Sequence, residues 1–449
     1  MDQRRLWIID PEGRNQEEAR RMAHAVVDLL VDHFASLAKR PLVEERNLPG
    51  PPPAGGRPWA QVLDLLKDDV LPGSMQPAHP GFIGHMDSGP LFLAVLGDLV
   101  AASLNQNLLH REMSPLASAM DEQLIGWLAA KAGLPTASEG TFVSGGTAAN
   151  LTALALARTA HPERRMVIAS QEAHYSIRKS LQVMGFAPED LVALPVDGDF
   201  RMNPQALRAA LRENPSALAV VATAGTTSTG SVDPLAPIGD LCREHGVWLH
   251  VDAAHGGAAL FSPAARGRLR GIDQADSLVI DPHKWMLQPK SIGAVICRHA
   301  GLFGRTFGSD APYLRQAGRP SLGQWTLQGT RRWDSLRLWL SWQYLGDEGF
   351  GEIVDRTLER TAYLRAAVDA DPGLEAAHAP DLNILCFRPP VSDQEIEGVR
   401  ANLVRSGAGF LSQTSLRGRR WLRAVLLNPS TTDGDLDRIL GEIRRDVAR

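Results

Sequence analysis

Lys284 stands in a setting that is unusual for a solvated cation. It belongs to the segment DPHKW (281–285), which follows the apolar run 278–280 and places the lysine between His283 and Trp285. Burial disfavours the ammonium form and lowers the pKa of a lysine, and the neutral amine forms imines with aldehydes. The segment therefore predicts a nucleophilic lysine. The alternative is a lysine that closes a strand-to-loop corner and keeps its amine in water.

Two other apolar runs end in residues that suit an anionic, planar ligand. Gly145 and Gly146 follow the run 141–143, and Thr147 opens a helix. Unpaired backbone N–H groups at the positive end of a helix can bind a phosphate, so this segment is a candidate phosphate cradle. The alternative is that the two glycines only form a tight turn. His174 follows the run 166–169 and could stack on a flat ring or cap the next helix.

Two further runs end in a hydroxyl group and in a carboxylate. Thr226 follows the run 218–224, where ordinary turn chemistry would also explain a threonine. Asp252 follows the run 247–251, and this apolar setting predicts that it is buried. A buried carboxylate needs a cationic or strongly donating partner, so Asp252 is a candidate for holding a positively charged group.

The elements that position these residues are strands alternating with helices between residues 140 and 300. Such a pattern predicts an α/β fold with a mostly parallel sheet covered on both faces. Ligands bind at the carboxyl ends of the strands in such sheets. Five loops at that edge would thus combine a phosphate cradle, a stacking ring, hydroxyls, a buried carboxylate and a lysine. Together they match the needs of one cofactor, pyridoxal 5'-phosphate.

Composition limits the partners of the chain. Of the 449 residues, 22% are charged and 44% are hydrophobic, which is typical of a globular protein. The net charge of −4 is too small for an electrostatic field that would attract nucleic acid or an anionic membrane. The apolar segment 91–104 is too short to span a bilayer. The cysteines Cys242, Cys297 and Cys386 lie in apolar runs without metal-ligand spacing. They predict a reduced, cytoplasmic protein without a metal site.

The motifs resemble the group II pyridoxal-phosphate-dependent amino-acid decarboxylases of fold type I, from about residue 75 to the end. DPHKW is the most specific of them. NQNLLHREMSP (105–115) and HYS (174–176) are similar to the glutamate, cysteine-sulfinate and aspartate decarboxylase-like branch. The resemblance implies a large cofactor-binding domain at 76–335 with a mostly parallel seven-stranded sheet, and a smaller C-terminal α/β domain at 336–449. It also implies an N-terminal helical dimerisation segment at 1–75 and a homodimer with its active site at the interface.

The resemblance further implies the roles of single residues. Lys284 would form the Schiff base, His283 would face the substrate, Asp252 would pair with the pyridinium nitrogen and His174 would stack on the ring. The other residues expected to bind the cofactor are Gly145, Gly146, Thr147, Thr226 and Ala254. The residues expected to bind the substrate are His85, Phe82, Asn107 and Arg423, of which Arg423 would hold a carboxylate.

The implied reaction is decarboxylation of an L-amino acid to the amine and carbon dioxide by a carboxy-lyase. In the family, a loop tyrosine returns a proton to Cα, but the loop 315–332 contains no tyrosine. Three residues could replace that tyrosine as the proton donor: Tyr313, which lies just before the loop, His283 and Lys284. Without a good donor the carbanion can meet oxygen, so oxidative deamination to an aldehyde is the alternative. DPHKW disfavours an aminotransferase or another lyase, and the absence of a basic helix-turn-helix pattern disfavours a non-catalytic regulator.

Overall fold

The computed structural model describes residues 8–46, 50–309 and 321–448. Its α-helices are α1 (Gln16–Ser36), α2 (Trp59–Leu65), α3 (Leu71–Gly73), α4 (Phe92–Leu104), α5 (Pro115–Lys131), α6 (Gly146–Ala160), α7 (Ser176–Val183), α8 (Pro204–Glu213), α9 (Leu235–His245), α10 (Leu302–Phe307), α11 (Ser335–Asp369), α12 (Asp393–Arg405) and α13 (Asp433–Val447). Its strands are β1 (Glu139–Val143), β2 (Val167–Ser170), β3 (Leu191–Leu194), β4 (Ala219–Thr223), β5 (Trp248–Asp252), β6 (Ser277–Ile280), β7 (Gly293–Cys297), β8 (Glu375–Ala376), β9 (Ile384–Arg388), β10 (Ser412–Leu416) and β11 (Arg419–Val425).

Seven strands form the large sheet, in the order β1-β7-β6-β5-β4-β2-β3. Strand β7 runs antiparallel to β1 and β6, and the pairs β6-β5, β5-β4, β4-β2 and β2-β3 are parallel. The central strands β4, β5 and β6 are buried along their whole length, because helices cover both faces. One apolar core includes side chains of α6, α7 and α10, and the other includes side chains of α5, α8, α9 and α11. The predicted α/β class and mostly parallel sheet are confirmed.

Local sequence signals explain several helix ends. Asn203 caps α8, since its side chain accepts hydrogen bonds from the amides of Gln205 and Ala206 at 2.8 and 3.3 Å. Thr432 and Asp435 form the capping box that starts α13. Ser114 is the N-cap residue of α5 and Pro115 is the first residue of the helix, while the Ser114 hydroxyl donates to backbone carbonyls of the preceding loop.

A second sheet of four antiparallel strands, in the order β10-β11-β9-β8, forms the smaller C-terminal part with α12 and α13. Helix α11 links the two parts and begins at Ser335, next to the predicted domain boundary between residues 335 and 336. The backbone is non-helical at Gly346, whose φ is 63°, so that α11 consists of two helical segments that meet there. The loop at 79–86 also reaches this sheet, where the Ile83 amide donates to the Phe410 carbonyl at 3.1 Å. The domain boundaries themselves stay a prediction.

Candidate active site

A cavity of about 240 Å³ lies at the carboxyl ends of the parallel strands. The loops that follow β1, β2, β4, β5 and β6 all contribute to its wall, as expected for this fold. The sequence-predicted residues that line it are Gly145, Gly146, Thr147, His174, Asp252, Ala254, His283 and Lys284. The fold therefore brings together a candidate phosphate cradle, imidazoles, a carboxylate and the lysine.

Asp252 is buried at the end of β5 and receives two neutral hydrogen bonds. Its Oδ2 accepts from Asn150 Nδ2 at 2.8 Å, and its Oδ1 accepts from the Ala254 amide at 3.1 Å. No lysine or arginine within the described ranges forms an ion pair with it. A buried carboxylate without a cationic partner is suited to a positively charged group of a ligand.

A directed chain of hydrogen bonds supports Asn150 from the opposite side. The Trp248 indole only donates, and it does so to Ser277 Oγ at 2.9 Å. The Ser277 hydroxyl is then free to donate to His250 Nδ1 at 2.9 Å, so that His250 Nε2–H donates to Asn150 Oδ1 at 3.0 Å. Burial lowers the pKa of His250 to about 4, which keeps the ring neutral as this chain requires. The amide of Asn150 is thereby oriented with its NH2 group toward Asp252.

His174 is tied to the same network. Its Nδ1 lies 2.8 Å from Ser176 Oγ, and Asn150 Nδ2 also donates to Ser176 Oγ at 2.9 Å. Burial is the largest cause that lowers the pKa of His174, so the ring tends to be neutral. A neutral imidazole held at the cavity wall is suited to stacking on a planar ligand.

The N-terminus of α6 forms one end of the cavity. Gly145 precedes the helix with a φ of 102°, a conformation that favours glycine, and a Cβ there would approach His283 Cε1 to 3.1 Å. The Gly146 amide donates to Asp281 Oδ2 at 3.0 Å. The first N–H groups of a helix have no partner within it, so this end is suited to an anion.

Lys284 lies at the cavity wall beside the carboxylate of Asp281. Its side chain is 21% exposed, and its Nζ lies 3.3 Å from Asp281 Oδ2. His283 Nδ1 lies 2.6 Å from the Ile292 carbonyl, to which it donates, and its Nε2 is 3.7 Å from Asp281 Oδ2. Trp285 points away into the core and donates to Thr357 Oγ1 at 2.8 Å.

His255 forms a further part of the wall. Its Nε2 lies 2.7 Å from Asn383 Oδ1, and its ring stacks on Trp285 at 5.4 Å. Its Nδ1 is buried and has no hydrogen-bond partner among the described residues. Burial, reinforced by the charge of Lys284, lowers the pKa of His255 to about 3, so the ring is a neutral acceptor.

Five sequence-predicted residues do not line the cavity, and Thr226, Phe82 and Asn107 are three of them. The hydroxyl of Thr226 is used within its own turn, 2.8 Å from Thr229 Oγ1, while Thr223 and Thr227 line the wall instead. Phe82 stacks on Phe410 at 5.1 Å in the small apolar cluster with Leu42. Asn107 Oδ1 accepts from the backbone amides of Leu109 and Arg331 at 3.0 and 3.2 Å. These side chains are occupied by loop structure and packing.

Arg423 and His85 lie beyond the cavity wall. Arg423 is buried on β11 and donates to Ser412 Oγ at 3.0 Å, but no carboxylate in the described part of the chain lies within 4.0 Å of it. Its charge helps to lower the pKa of both His85 and His255, after burial as the main cause. His85 is exposed, and its neighbour Met86 reaches the cavity instead. Tyr313, the candidate proton donor, lies outside the described residues.

Some site residues were missed by the sequence reasoning. Asn150 follows Gly146 by four residues and thus lies on the same face of α6, which is the signal that could have found it. His250 precedes Asp252 by two residues, on the same face of β5. Asp281 stood in the quoted motif but received no role. For His255, no signal in the sequence distinguishes it from a core histidine.

The residues present fit pyridoxal phosphate. Asp252 would meet the pyridinium nitrogen, the N-terminus of α6 would hold the phosphate, and Lys284 would bind the aldehyde carbon. The fold and the site thus define a pyridoxal-phosphate enzyme of fold type I. A model of the pyridoxal-dependent decarboxylase conserved domain matches residues 41–389, and the chain belongs to this family.

Relatives with curated names support the same conclusion. The chain is 34% identical to an L-2,4-diaminobutyrate decarboxylase of Rhizobium meliloti (strain 1021), over 98% of this chain and 94% of the relative. It is 30% identical to an aromatic-L-amino-acid decarboxylase of Bacillus atrophaeus, over 95% of each. The crystal structure of mouse CSAD in apo form aligns with a TM-score of 0.88 at 27% identity, covering 96% of this chain and 99% of that one. The predicted family, cofactor and carboxy-lyase class are confirmed.

Proposed function

We propose that this protein decarboxylates an L-amino acid to the corresponding amine, with Lys284, Asp252, His174 and the N-terminus of α6 as its cofactor site. The observation that carries the proposal is Asp252, a buried carboxylate held by two neutral donors and lacking a cation in the described structure. Bound pyridoxal phosphate would supply an electron sink for the carbanion that remains after loss of carbon dioxide.

The residues of the chain would divide the work around that sink. Asp252 would stabilise positive charge at the pyridine nitrogen, oriented by Asn150 at 2.8 Å. The neutral ring of His174 would cover one face of the ligand. Lys284 would hold the cofactor between turnovers, and His283, with its Nε2 free of the Ile292 carbonyl, would be placed to move a proton.

Arg423 would bind a carboxylate of the substrate. Burying a guanidinium without a counter-ion is costly, and an arriving carboxylate would offset that cost. The named relatives act on 2,4-diaminobutyrate and on aromatic amino acids, and the similar solved structure is mouse CSAD. The first compounds to assay are therefore L-2,4-diaminobutyrate and the aromatic L-amino acids, together with glutamate and aspartate.

The aldehyde-forming reaction is the second candidate. The described loop residues 321–332 contain no tyrosine, and neither do residues 315–320 of the sequence. A slow return of the proton to Cα would leave the carbanion open to oxygen. The ratio of amine to aldehyde therefore measures how well another group replaces the tyrosine.

One assay separates the two candidates. Each L-amino acid is incubated with the cofactor-loaded enzyme in air, and carbon dioxide, amine, aldehyde and peroxide are measured. We expect one amine for each carbon dioxide and no peroxide. Aldehyde and peroxide in amounts equal to the carbon dioxide would contradict the first candidate. Lys284→Ala should abolish all products, whereas Lys179→Ala, at an exposed position on α7, should leave them unchanged.

We further propose a homodimer, with α1 packed on the partner subunit, in the cytoplasm. In the single chain, only His33 of the 21 residues of α1 is buried, while Val31 and Phe34 are 48% and 46% exposed. Helix α4 adds Phe92, 58% exposed, and Leu104, 53% exposed. Large apolar side chains that are exposed in the single chain are suited to an interface with a second copy. Across residues 8–46, 50–309 and 321–448, no helix combines the length and the apolar character needed to cross a membrane.

Sedimentation tests the dimer. The wild-type protein should sediment as a dimer, and a double variant with Val31→Glu and Phe34→Glu should dissociate to a monomer with reduced turnover. Val183→Glu is the matched control, because Val183 is 67% exposed on α7. A fully active wild-type monomer would contradict the proposal.

A further inference from the structure

His255 has one ring nitrogen without a hydrogen-bond partner in the wall of the cavity. The residue follows β5, lines the cavity and is 3% exposed. Its Nε2 lies 2.7 Å from Asn383 Oδ1, whereas its buried Nδ1 has no partner among the described residues. A buried polar atom that stays unpaired costs free energy, so such an atom beside a ligand cavity indicates a position that a ligand completes.

The neighbours of His255 decide which of its nitrogens carries the hydrogen. The Nδ2 group of Asn383 donates to the Leu426 carbonyl at 2.9 Å, so the side-chain oxygen of Asn383, which only accepts, faces His255. His255 Nε2 therefore donates to it, and Nδ1 of the neutral ring has a free lone pair. Burial, reinforced by the charges of Lys284 and Arg423, lowers the pKa of His255 to about 3, so Nδ1 stays an acceptor.

Packing holds the ring of His255 in place. One face stacks on the Trp285 indole, with the ring centroids 5.4 Å apart and the planes 10° apart. A Cβ at Gly225 would come within 3.2 Å of His255 Cδ2, so the backbone lies close to that edge of the ring. With Nε2 held by Asn383 as well, the ring has little freedom to turn toward another partner for Nδ1. A donor for Nδ1 therefore has to come with a bound molecule.

His255 is close to both groups that would hold the substrate. Lys284, which would bind the cofactor, and Arg423, which would bind a carboxylate, both lie near enough for their charges to lower the pKa of His255. Asn383 directly precedes β9, the strand that pairs with β11, where Arg423 lies. A substrate that reaches from the cofactor to Arg423 therefore comes beside His255. Its amine is bound to the cofactor and its carboxylate only accepts, so its side chain is the part that can bring a donor.

We propose that His255 Nδ1 accepts a hydrogen bond from an N–H or O–H group of the substrate side chain. The inference rests on the proposed function and names the class of substrate, which is an amino acid whose side chain ends in an amine or a hydroxyl group. A site built to pair with a donor rejects the analogue that lacks it, because the buried acceptor is then left unpaired. His255 thus sets the selectivity of the reaction and takes no part in the chemical step.

Two pairs of amino acids with matched shapes test the proposal. L-2,4-diaminobutyrate and L-norvaline differ in a terminal amine and a terminal methyl group, and L-tyrosine and L-phenylalanine differ in one hydroxyl group. The ratio of the two kcat/KM values within a pair measures the selectivity of the site. The wild-type enzyme should prefer the member with the donor at least about tenfold in one pair. The pair that shows the preference tells whether the donor is an amine or a hydroxyl group.

Two substitutions separate the acceptor of His255 from its contact with Asn383. His255→Gln can still donate to Asn383 Oδ1 but has no acceptor at the position of Nδ1, so the preference should fall at least about tenfold. His255→Asn places an amide oxygen near the position of Nδ1 but has no donor for Asn383. It should keep most of the preference and lose stability in urea unfolding. His299→Gln, at an exposed position after β7, should behave like the wild type.

Binding without turnover gives an independent measurement. Pyridoxal phosphate is joined by reduction to the α-amine of each amino acid, and the stable conjugates are titrated into the cofactor-free enzyme with tryptophan fluorescence as the signal. The wild type should bind the conjugate with the donor at least about tenfold more tightly than its partner in the same pair. His255→Gln should bind the two conjugates with similar affinity.

Three results would overturn the inference. The first is a wild type that distinguishes the members of neither pair, and the second is a His255→Gln variant that keeps the preference of the wild type. The third is an equal loss of preference in His255→Asn and His255→Gln, which would leave His255 with a packing role only. Release of carbon dioxide with the wrong selectivity would contradict the role of His255 alone. If no amino acid released carbon dioxide, the proposed function would itself be wrong, and this role of His255 with it.

Discussion

Replacing Asn150 by alanine should damage both the stability of the fold and the binding of the cofactor. The amide donates to Asp252 Oδ2 and Ser176 Oγ and accepts from His250 Nε2. A hydrogen bond to a charged group contributes about 1.5–3 kcal/mol, and a buried donor left without an acceptor, here His250 Nε2–H, costs about 1–3 kcal/mol. The cofactor-free variant should therefore lose at least about 2.5 kcal/mol of unfolding free energy.

The loss of cofactor affinity follows from the position of Asp252. Without Asn150 the carboxylate keeps only the Ala254 amide as a donor and is no longer oriented from the α6 side. A weakening of about 1.4 kcal/mol in its contact with the pyridine nitrogen corresponds to tenfold weaker binding. We expect at least this change in the dissociation constant of pyridoxal phosphate, measured by absorbance titration, with urea unfolding as the stability assay.

Asn203→Ala is the matched control. Asn203 caps α8 with its side chain, so its loss should cost about 1 kcal/mol of stability and leave cofactor binding unchanged. The network described for Asp252 would be refuted if Asn150→Ala lost no more stability than Asn203→Ala and bound pyridoxal phosphate as tightly as the wild type.

Two further predictions concern His250 and Arg423. Burial lowers the pKa of His250 from 6.5 to about 4 in the folded protein. Between these pH values the unfolded chain binds more protons than the folded chain, so the unfolding free energy falls as the pH drops from 6.5 to 4. In His250→Gln, urea unfolding should show about 3 kcal/mol less loss of unfolding free energy over this pH range than in the wild type. An equal loss in the variant and the wild type would contradict the lowered pKa of His250. Arg423→Met should raise KM at least about tenfold, because the substrate carboxylate loses its proposed partner. The unfolding free energy should not fall, because the substitution removes a buried charge that lacks a carboxylate partner in the described structure. An unchanged KM would remove Arg423 from the substrate site.

The sequence was sufficient to predict the architecture around the site. Apolar runs that end in Gly145, His174, Asp252 and Lys284 predict parallel strands, and the carboxyl ends of such strands share one edge. The cavity at that edge is lined by all four residues. This part was predictable because it depends on strand direction and on positions next to strand ends, which are local in sequence.

Contacts between distant elements were not predictable in the same way. The hydrogen bond from Asn150 to Asp252 joins α6 to β5 across 102 positions, and the one from Gly146 to Asp281 spans 135. Thr226 shows the opposite error, since a polar residue at a strand end was expected in the cavity while its hydroxyl completes a turn. Which of two adjacent threonines faces a ligand depends on backbone angles that residue types do not reveal.

Trapping the cofactor on the protein tests the central claim most directly. The enzyme is loaded with pyridoxal phosphate, reduced with borohydride and digested, and the modified peptide is identified by mass spectrometry. The phosphopyridoxyl group should be found on Lys284, with one group per chain, and Lys284→Ala should carry none. A group attached mainly to another lysine, such as Lys290, would contradict the assignment of the site.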